Sequence, residues 1–584
     1  MVRRMHVTLR ALGAAAATFA LVAGAQPVVA RTTTSLAAVP AQRSCASLAN
    51  LNVSTMDTGK VTIAAATVTT TTAGQFCEVR GTIAPAPSST INFQVHLPLT
   101  KWTQRYVQVG CGGLCGNVNV AIDNASGCAP ALNGEFVVAA NDMGAKVPEG
   151  GPMGSFATDP EKRIDFAYRG NHVTALVAKS LIRAFYGRQQ RYAYFTGCSD
   201  GGREGLMEAQ RYPDDFDGVS AGAPAMNFQV QNSFYHAWMA SANLDAAGKP
   251  ILLAAKIPVL HTAVLAHCDA MDGLKDGLLS DPRACRVDTD WVACKPGATA
   301  TDACLTAREA AIVRRIYDGP RAPDGRSFLV GGPQPGSELQ WDFIPANATD
   351  RSMSAMLGAA MRRYMIFPQS PAPNAMVDDF SFDARTFAEV TKLHGLNDAT
   401  NPDLRPFAQH GGRVILWHGW SDTSISPMTS IAYYKAVQQL MGAQSADATL
   451  RLFMLPGTGH CGGGDGFAQV DTLTPLMAWV EAGHAPAQLT ADKVADLAKG
   501  PRGGLPGADQ SGKQLPLPSP ATTVLARRSI YPFPAIPRPG SSDSVAGKSV
   551  VIEQPVIDWY GADLFRPGFQ RAYSVRDNAL VADR

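Results

Sequence analysis

Residues 197–201, Gly-Cys-Ser-Asp-Gly, have the form G-x-S-x-G that can present a serine hydroxyl for nucleophilic attack. An apolar segment that predicts a strand, residues 192–196, precedes them, and a segment that predicts a helix, residues 203–211, follows. A sharp turn from strand to helix needs small residues on both sides, so that the hydroxyl stands clear of the sheet. The pattern favours Ser199 as a nucleophile over a glycine-rich turn with a capping serine.

A serine nucleophile needs a base, and the base needs a carboxylate to orient it. Asp422 comes just after a predicted strand, residues 413–417, and His460 follows the next one, residues 450–455. Catalytic groups collect at the carboxyl ends of strands in open parallel sheets. The order serine, acid, histidine is the one found in α/β-hydrolases, so Asp422 and His460 are predicted to complete a triad with Ser199.

Other residues compete for these two roles. His418 and His410 are alternative bases, but both precede the acid candidate in the chain. Asp465 is an alternative acid, but it follows the histidine. The order of the residues therefore favours the triad given above.

Two cysteines flank the predicted triad, because Cys198 precedes the serine and Cys461 follows the histidine. If the serine and histidine side chains meet, the two sulfurs come close, and a disulfide would limit the motion of the base; two unrelated buried thiols are the alternative. For the oxyanion hole we expect the amide of Asp200 and a second amide at Gly112 or Gly113, with Gly113 preferred.

Residues 31–90 are predicted to be rich in β-strands. Strands then alternate with helices up to residue 225 and again from residue 405, which predicts a mostly parallel sheet in an α/β protein. Residues 226–404 break the alternation and are interpreted as one large insertion. Residues after about 490 are rich in proline and glycine, and the last forty predict little structure. The predicted parts are a signal peptide (1–30), a discontinuous catalytic domain (31–225 and 405–545), a lid domain (226–404) and a C-terminal extension (546–584).

At these motifs the chain resembles the tannase and feruloyl esterase family, which includes the mono(2-hydroxyethyl) terephthalate hydrolases. The resemblance rests on residues 197–203, on Asp422 and on the pair His460-Cys461, and it covers roughly residues 40 to 540. It implies an α/β-hydrolase fold with a large lid inserted before the acid. It also implies that the Cys198–Cys461 disulfide forms and that the substrate is a carboxylic ester with an aromatic acid part.

An acidic loop lies in the predicted lid, at residues 268–278. Three carboxylates and the carbonyls around two glycines offer the hard oxygen ligands that Ca²⁺ prefers, although a solvated acidic turn is an equal alternative from the residues alone. The family resemblance extends to this loop and implies a structural Ca²⁺ that orders the lid. Its ligands would be the side chains or carbonyls of Asp269, Asp272, Leu274, Asp276 and Leu278.

Substrate contacts are harder to predict. The lid segment 361–367 supplies aromatic residues and two arginines, and Arg363 is a candidate to pair with a carboxylate on the substrate. A lid helix with solvated arginines is the alternative. His418 is expected near the site, because the family has a pocket-lining histidine at the matching position. Nothing in the sequence separates galloyl, feruloyl and terephthaloyl esters.

The first thirty residues resemble a signal peptide, with three arginines before a small-residue apolar stretch that is too short to span a membrane. Cleavage after Ala25 or after Ala30 fits the pattern. We therefore expect a secreted or periplasmic protein, in which most of the eleven cysteines form disulfides. The predicted pairs, besides Cys198–Cys461, are Cys268–Cys285, Cys294–Cys304, Cys45–Cys77 and Cys115–Cys128, with Cys111 unpaired.

The composition excludes some classes of protein. A net charge of +2 argues against a protein that binds a nucleic-acid backbone, and 46% hydrophobic residues suffice for a large core. We therefore predict a secreted serine esterase that acts on small aromatic esters through an acyl-enzyme, with no nucleic-acid or membrane partner after removal of the signal. A serine peptidase on the same scaffold and a non-catalytic binding protein are the alternatives.

Overall fold

The structure is a computed structural model that describes residues 35–122, 124–297, 303–350, 352–495, 523–537, 549–551 and 558–583. The predicted signal peptide, residues 1–30, lies outside the described residues. Within the described residues, no helix combines the length and the apolar character that crossing a membrane requires.

In the described part of the chain, nine strands form the main sheet in the order β1-β2-β3-β5-β4-β6-β7-β8-β9. The pairs β1/β2, β2/β3 and β3/β5 are antiparallel, and all pairs from β5 to β9 are parallel. This confirms the predicted α/β class. The strands are Lys60–Thr71 (β1), Gly74–Ala84 (β2), Ile91–Pro98 (β3), Arg105–Val109 (β4), Phe136–Asn141 (β5), Tyr192–Cys198 (β6), Gly218–Gly222 (β7), Arg413–Gly419 (β8) and Leu450–Leu455 (β9).

Smaller sheets follow β9 in the chain. Gln469–Val470 (β10), Leu489–Val494 (β11) and Val524–Ile530 (β12) form a three-stranded antiparallel sheet. Two further two-stranded antiparallel sheets are formed by Ala535–Pro537 (β13) with Ser549–Val551 (β14), and by Tyr573–Arg576 (β15) with Ala579–Ala582 (β16).

Helices cover both faces of the main sheet. The α-helices are Ala129–Leu132 (α1), Pro160–Ile164 (α2), Gly170–Tyr186 (α3), Asp200–Arg211 (α4), Phe228–Val230 (α5), His236–Ser241 (α6), Ile257–Cys268 (α7), Ala307–Asp318 (α8), Met353–Tyr364 (α9), Asn374–Asp378 (α10), Ala384–Val390 (α11), His394–Asn397 (α12), Arg405–Gln409 (α13), Pro427–Met441 (α14), Ala443–Thr449 (α15) and Leu473–Ala482 (α16).

The parallel strands are buried on both faces, so their side chains divide between two cores. In β8, Val414 and Leu416 belong to the core that contains α3, whereas Ile415 and Trp417 belong to the core that contains α16. This alternation follows from the period of two residues along a strand. Because β4, β6, β8 and β9 run parallel, their carboxyl ends meet at one edge of the sheet.

The predicted insertion falls between two neighbouring strands. Gly218 of β7 pairs with Arg413 of β8 in parallel, so residues 223–412 leave the sheet at the carboxyl end of β7 and return at the amino end of the neighbouring β8. Part of this segment packs around Phe234, whose ring lies 5.1 to 5.7 Å from four other phenylalanine rings: Phe328, Phe380, Phe382 and Phe387. The exact limits of a lid domain, 226 and 404, stay a prediction.

The C-terminal extension has more structure than its composition predicts. In its described part Trp559 and Phe565 are buried, and the amide of Tyr573 donates to the hydroxyl of Tyr168 at 3.0 Å. Tyr560 packs on Phe328, with ring centroids 4.9 Å apart. Buried aromatic residues therefore anchor this segment although proline and glycine surround it.

Candidate active site

The turn between β6 and α4 holds Ser199 in a backbone conformation that few residues other than glycine adopt, with φ 64° and ψ −121°. The neighbouring glycines permit this turn. A Cβ added to Gly197 would lie 2.6 Å from the backbone of Gly201, and one added to Gly201 would lie 2.8 Å from the carbonyl of Cys111. The strained turn points to a functional serine, since such strain collects at active sites.

The three predicted triad residues lie in hydrogen-bond contact. Nε2 of His460 is 2.9 Å from Oγ of Ser199, and Nδ1 of His460 is 2.8 Å from Oδ2 of Asp422. Asp422 is fully buried, and its Oδ1 accepts the amides of Ser424 and Ile425, each at 2.9 Å. These contacts assign the Nδ1 proton to the Asp422 side and leave Nε2 to accept the serine proton.

Charges around the histidine set its protonation. Burial alone would raise the pKa of Asp422, but the charge of His460 and hydrogen bonds from His418 and His460 hold it well below its usual range. Burial alone would lower the pKa of His460, but Asp422, and also the charge of Asp342, raise it above its ordinary value. The carboxylate of Asp422 is therefore ionised at neutral pH and stabilises the protonated histidine.

His418 differs from its expected role as a pocket residue. Its ring is fully buried, with Nδ1 2.8 Å from Oγ of Ser430 and Nε2 3.1 Å from Oδ2 of Asp422 and 3.2 Å from the carbonyl of Ile425. Nε2–H therefore donates toward Asp422, and the ring has no surface left for a ligand. The other alternative base, His410, pairs with Asp214 at 2.7 Å.

The Cys198–Cys461 disulfide forms, with the two Cα atoms 5.8 Å apart. It joins the residue before Ser199 to the residue after His460, as the sequence predicts. The predicted pairs Cys45–Cys77, Cys268–Cys285 and Cys294–Cys304 also form.

The predicted Cys115–Cys128 pair is wrong, because Cys115 bonds Cys111 and Cys128 is free and buried. The loop after β4 turns back on itself, since the amide of Cys115 donates to the carbonyl of Gly112 at 3.0 Å, and this brings Cys111 within reach. Cys128 instead lies in the core on the α16 side, with its sulfur 3.8 Å from Sδ of Met477.

The same loop carries the expected oxyanion donors. In the described part of the chain, the amides of Gly112 and Gly113 donate to no other residue. Asp200 is the first residue of α4, where an amide has no partner within the helix. The carbonyl of Cys111 lies close to Gly201, so the loop and the start of α4 are in contact beside Ser199.

Arg363 forms hydrogen bonds with other residues of the predicted lid. Its Nη1 donates to the carbonyl of Ala372 at 2.5 Å and to Oδ1 of Asn374 at 2.6 Å. Its contact with a substrate stays a prediction.

The predicted calcium loop presents buried carboxylates. Asp269 accepts the amides of residues 276 and 277, and Asp272 those of Leu274 and Ser280. Among the described residues neither carboxylate pairs with a basic side chain, whereas Asp276 pairs with Arg528. The three carboxylates do not gather as closely as other clusters of the described chain, but the hard oxygen donors fit a Ca²⁺ ion.

Two residues of the insertion that the sequence did not mark interact electrostatically with the triad. Burial raises the pKa of Asp342 to about 7, and the negative charge of Asp422 adds to this. Burial lowers the pKa of His236 to about 4, and the charge of His460 contributes. No spacing or motif marks either residue, because the insertion has no regular alternation that would place them at the site.

Comparison with known proteins agrees with this geometry. The family model described as tannase and feruloyl esterase matches residues 77–546. The chain is 34% identical to an uncharacterized esterase of Xanthomonas campestris, over 73% of this chain and 79% of the relative. It is 31% identical to the mono(2-hydroxyethyl) terephthalate hydrolase of Piscinibacter sakaiensis, over 73% of this chain and 80% of the relative.

Among solved structures, feruloyl esterase B from Aspergillus oryzae superposes with a TM-score of 0.71 at 26% identity, covering 86% of this chain and 98% of that one. The residues that match the family model include strands β3 to β9, the insertion and the predicted triad. The chain therefore belongs to the tannase and feruloyl esterase family, has the α/β-hydrolase fold and is a carboxylic ester hydrolase.

Proposed function

We propose that this enzyme is an exported serine esterase that hydrolyses carboxylic esters of aromatic acids through an acyl-enzyme. The observation that carries the proposal is the continuous contact from Ser199 through His460 to Asp422, with distances of 2.9 and 2.8 Å. In this order, the imidazole can take the proton of the hydroxyl while the carboxylate holds the ring, and none of the three groups has to move.

In the acylation step, Oγ of Ser199 attacks the ester carbonyl while Nε2 of His460 takes its proton. The oxygen of the tetrahedral intermediate accepts the amides of Asp200 and Gly113. His460 then returns the proton to the leaving alcohol, the ester C–O bond breaks, and the acid part stays bound to Ser199.

In the second step, His460 takes a proton from water, and the resulting nucleophile attacks the acyl-enzyme. The aromatic acid leaves, and Ser199 recovers its proton from His460. Asp422 stays ionised throughout, because its pKa is held far below neutrality.

The aromatic acid part is inferred from the relatives, which are named for feruloyl esters and for mono(2-hydroxyethyl) terephthalate. Export is inferred from the signal-like first thirty residues and from five disulfides in the described chain, which suit an oxidising compartment. For calcium, Asp269, Asp272 and Asp276 with the carbonyls of Leu274 and Leu278 would hold the ion, which would neutralise buried charge in the lid.

The test is a hydrolysis panel of methyl ferulate, methyl gallate and mono(2-hydroxyethyl) terephthalate, with a peptide 4-nitroanilide for comparison. We expect wild type to cleave at least one ester and not the anilide. Ser199→Ala should lose that activity and its labelling by a fluorophosphonate, whereas Ser424→Ala, in the nearby acid loop, should keep both. Failure of wild type to cleave any ester or to be labelled would refute the proposal.

A further inference from the structure

A buried carboxyl group lies beneath the loop that follows β4. Glu204, one turn into α4, is 2% exposed, and its Oε2 accepts Nδ2 of Asn171 at 2.7 Å and the amide of Cys111 at 3.3 Å. A Cβ added to Gly110 would lie 2.9 Å from the same oxygen. The carboxyl therefore contacts the start of the loop through the amide of Cys111 and leaves no room for a side chain at Gly110.

The second oxygen of Glu204 faces the disulfide that closes this loop. Oε1 lies 2.8 Å from Sγ of Cys111 and 3.3 Å from Sγ of Cys115. A disulfide sulfur carries no hydrogen, so an ionised oxygen at this distance would meet only lone pairs, whereas a carboxylic O–H donates toward sulfur. The geometry therefore favours the protonated form.

The surroundings of Glu204 agree with a neutral group. Burial raises the pKa of Glu204 to about 8, and the charge of Asp200 adds to this. Arg203, whose charge acts on Glu204, is already paired with Asp200 through two contacts of 2.6 and 3.0 Å. Asp200 therefore takes the available positive charge, and Glu204 keeps its proton.

The disulfide closes a ring around the candidate oxyanion donors. Cys111 and Cys115 enclose Gly112, Gly113 and Leu114, so the two glycines cannot move far while the bond is intact. At the far end of the ring, the amide of Gly116 donates to the carbonyl of Asp142 at 3.1 Å. A glycine-rich loop without such constraints would pay conformational entropy to hold its amides in one direction.

We propose that protonated Glu204 and the Cys111–Cys115 disulfide together position the amide of Gly113 toward the oxyanion beside Ser199. Glu204 is thus a positioning residue: it touches the loop and never the substrate. This inference rests on the proposed serine esterase mechanism and adds a residue pair that holds its oxyanion hole.

The kinetic test compares Glu204→Ala, Glu204→Gln and Glu208→Ala with wild type, using the best ester of the panel. Glu208 is the matched control, since it is one turn further along α4, equally buried, and has no contact with the loop among the described residues. We expect Glu204→Ala to lower kcat about 10²-fold, the effect of losing an oxyanion donor, with KM changed less than about threefold.

Glu204→Gln should retain most of kcat, because its carbonyl accepts the two N–H groups and its amide donates toward sulfur. Glu208→Ala should leave kcat near wild type. An unchanged kcat in Glu204→Ala, an equal loss in both alanine variants, or a glutamine variant as slow as the alanine variant overturns the proposal.

The disulfide is tested with the double variant Cys111→Ser/Cys115→Ser against Cys128→Ser, which removes the buried free thiol of the α16 core. Only the double variant should lower kcat at nearly constant KM, and no difference between the two overturns the role of the ring.

Hydrogen–deuterium exchange of the peptide that contains residues 110–116 gives a measurement independent of activity. It should rise in Glu204→Ala and in the double cysteine variant, but not in either control. If wild type hydrolyses no ester, the proposed function fails, and the exchange data still decide whether Glu204 and the disulfide hold the loop.

Discussion

Nε2 of His418 lies 3.1 Å from Oδ2 of Asp422, the oxygen that also accepts Nδ1–H of His460. Two histidines thus donate to one carboxylate oxygen, and Ser430 fixes the ring of His418 from the other side. Asp422 is therefore positioned by His418 as well as by its contact with His460.

Replacement of His418 by phenylalanine should therefore lower kcat while KM stays near wild type. The variant removes one donor to Asp422 and frees the carboxylate to rotate away from His460, and a misplacement of about 1 Å costs about 10²-fold in rate. Steady-state kinetics measures this loss. His410→Gln removes an exposed histidine and should have no effect; an equal loss in both variants, or a changed KM alone, would show that His418 does not act through Asp422.

Asp342 should control the acid limb of the pH–rate profile. Activity requires neutral His460 and therefore rises with pH through the pKa of that histidine, which lies above its ordinary value partly because of Asp342. Asp342, whose pKa is about 7, is only partly ionised in this range. Asp342→Asn removes that partial negative charge, so the pKa of His460 should fall and the acid limb of kcat/KM should move to lower pH.

The matched control is Asp465→Asn, in the loop that follows His460. It should leave the acid limb in place. A profile for Asp342→Asn that coincides with wild type, or that moves to higher pH, would contradict the electrostatic role of Asp342.

The triad and the main sheet could be predicted because the sequence patterns that indicate them are local. Ser199, Asp422 and His460 each follow a short apolar strand, and parallel strands bring such ends to one edge. The disulfide between Cys198 and Cys461 was predictable for the same reason, because these cysteines are next to Ser199 and His460, whose side chains must meet.

The remainder depends on tertiary structure that no spacing encodes. Three cysteines between residues 111 and 128 allow several pairings, and only the backward turn at Gly112 selects Cys111–Cys115. Ser430, twelve residues away in the chain, orients the side chain of His418 through a hydrogen bond. Asp342 lies in an insertion that shows no regular alternation of strands and helices. Their roles come from packing.

The Cys198–Cys461 disulfide should contribute more stability than the short clip Cys294–Cys304. It joins residues 263 apart, against 10 for the clip, so it removes more entropy from the unfolded chain. The chain-entropy relation gives about 5.6 kcal/mol for the long loop and about 2.7 kcal/mol for the short one.

Thermal unfolding of the two double serine variants measures this difference. Cys198→Ser/Cys461→Ser should have the lower Tm and also a reduced kcat, because the bond holds the loop of His460 to the nucleophile. Equal Tm values, or an unchanged kcat in the active-site variant, would contradict this dual role.

Calcium should bind the acidic loop and stabilise the lid. Asp272 is buried without a basic partner among the described residues, so an ion there would neutralise a charge that is otherwise costly to bury. With free Ca²⁺ at about 100 times Kd, the expected stabilisation is about 2.7 kcal/mol. Asp272→Asn should lose this increment and contain less metal, whereas Asp290→Asn, an exposed aspartate outside the loop, should behave as wild type.

Arg528 provides an independent check, since its guanidinium pairs with Asp276, a member of the same loop. Arg528→Gln removes a positive charge that competes with the ion, so calcium should bind more tightly, as calorimetric titration of the metal-free enzyme would measure. A larger Kd for calcium in Arg528→Gln would mean that the arginine helps to form the calcium site. Equal calcium content in wild type and Asp272→Asn would refute the loop as the binding site.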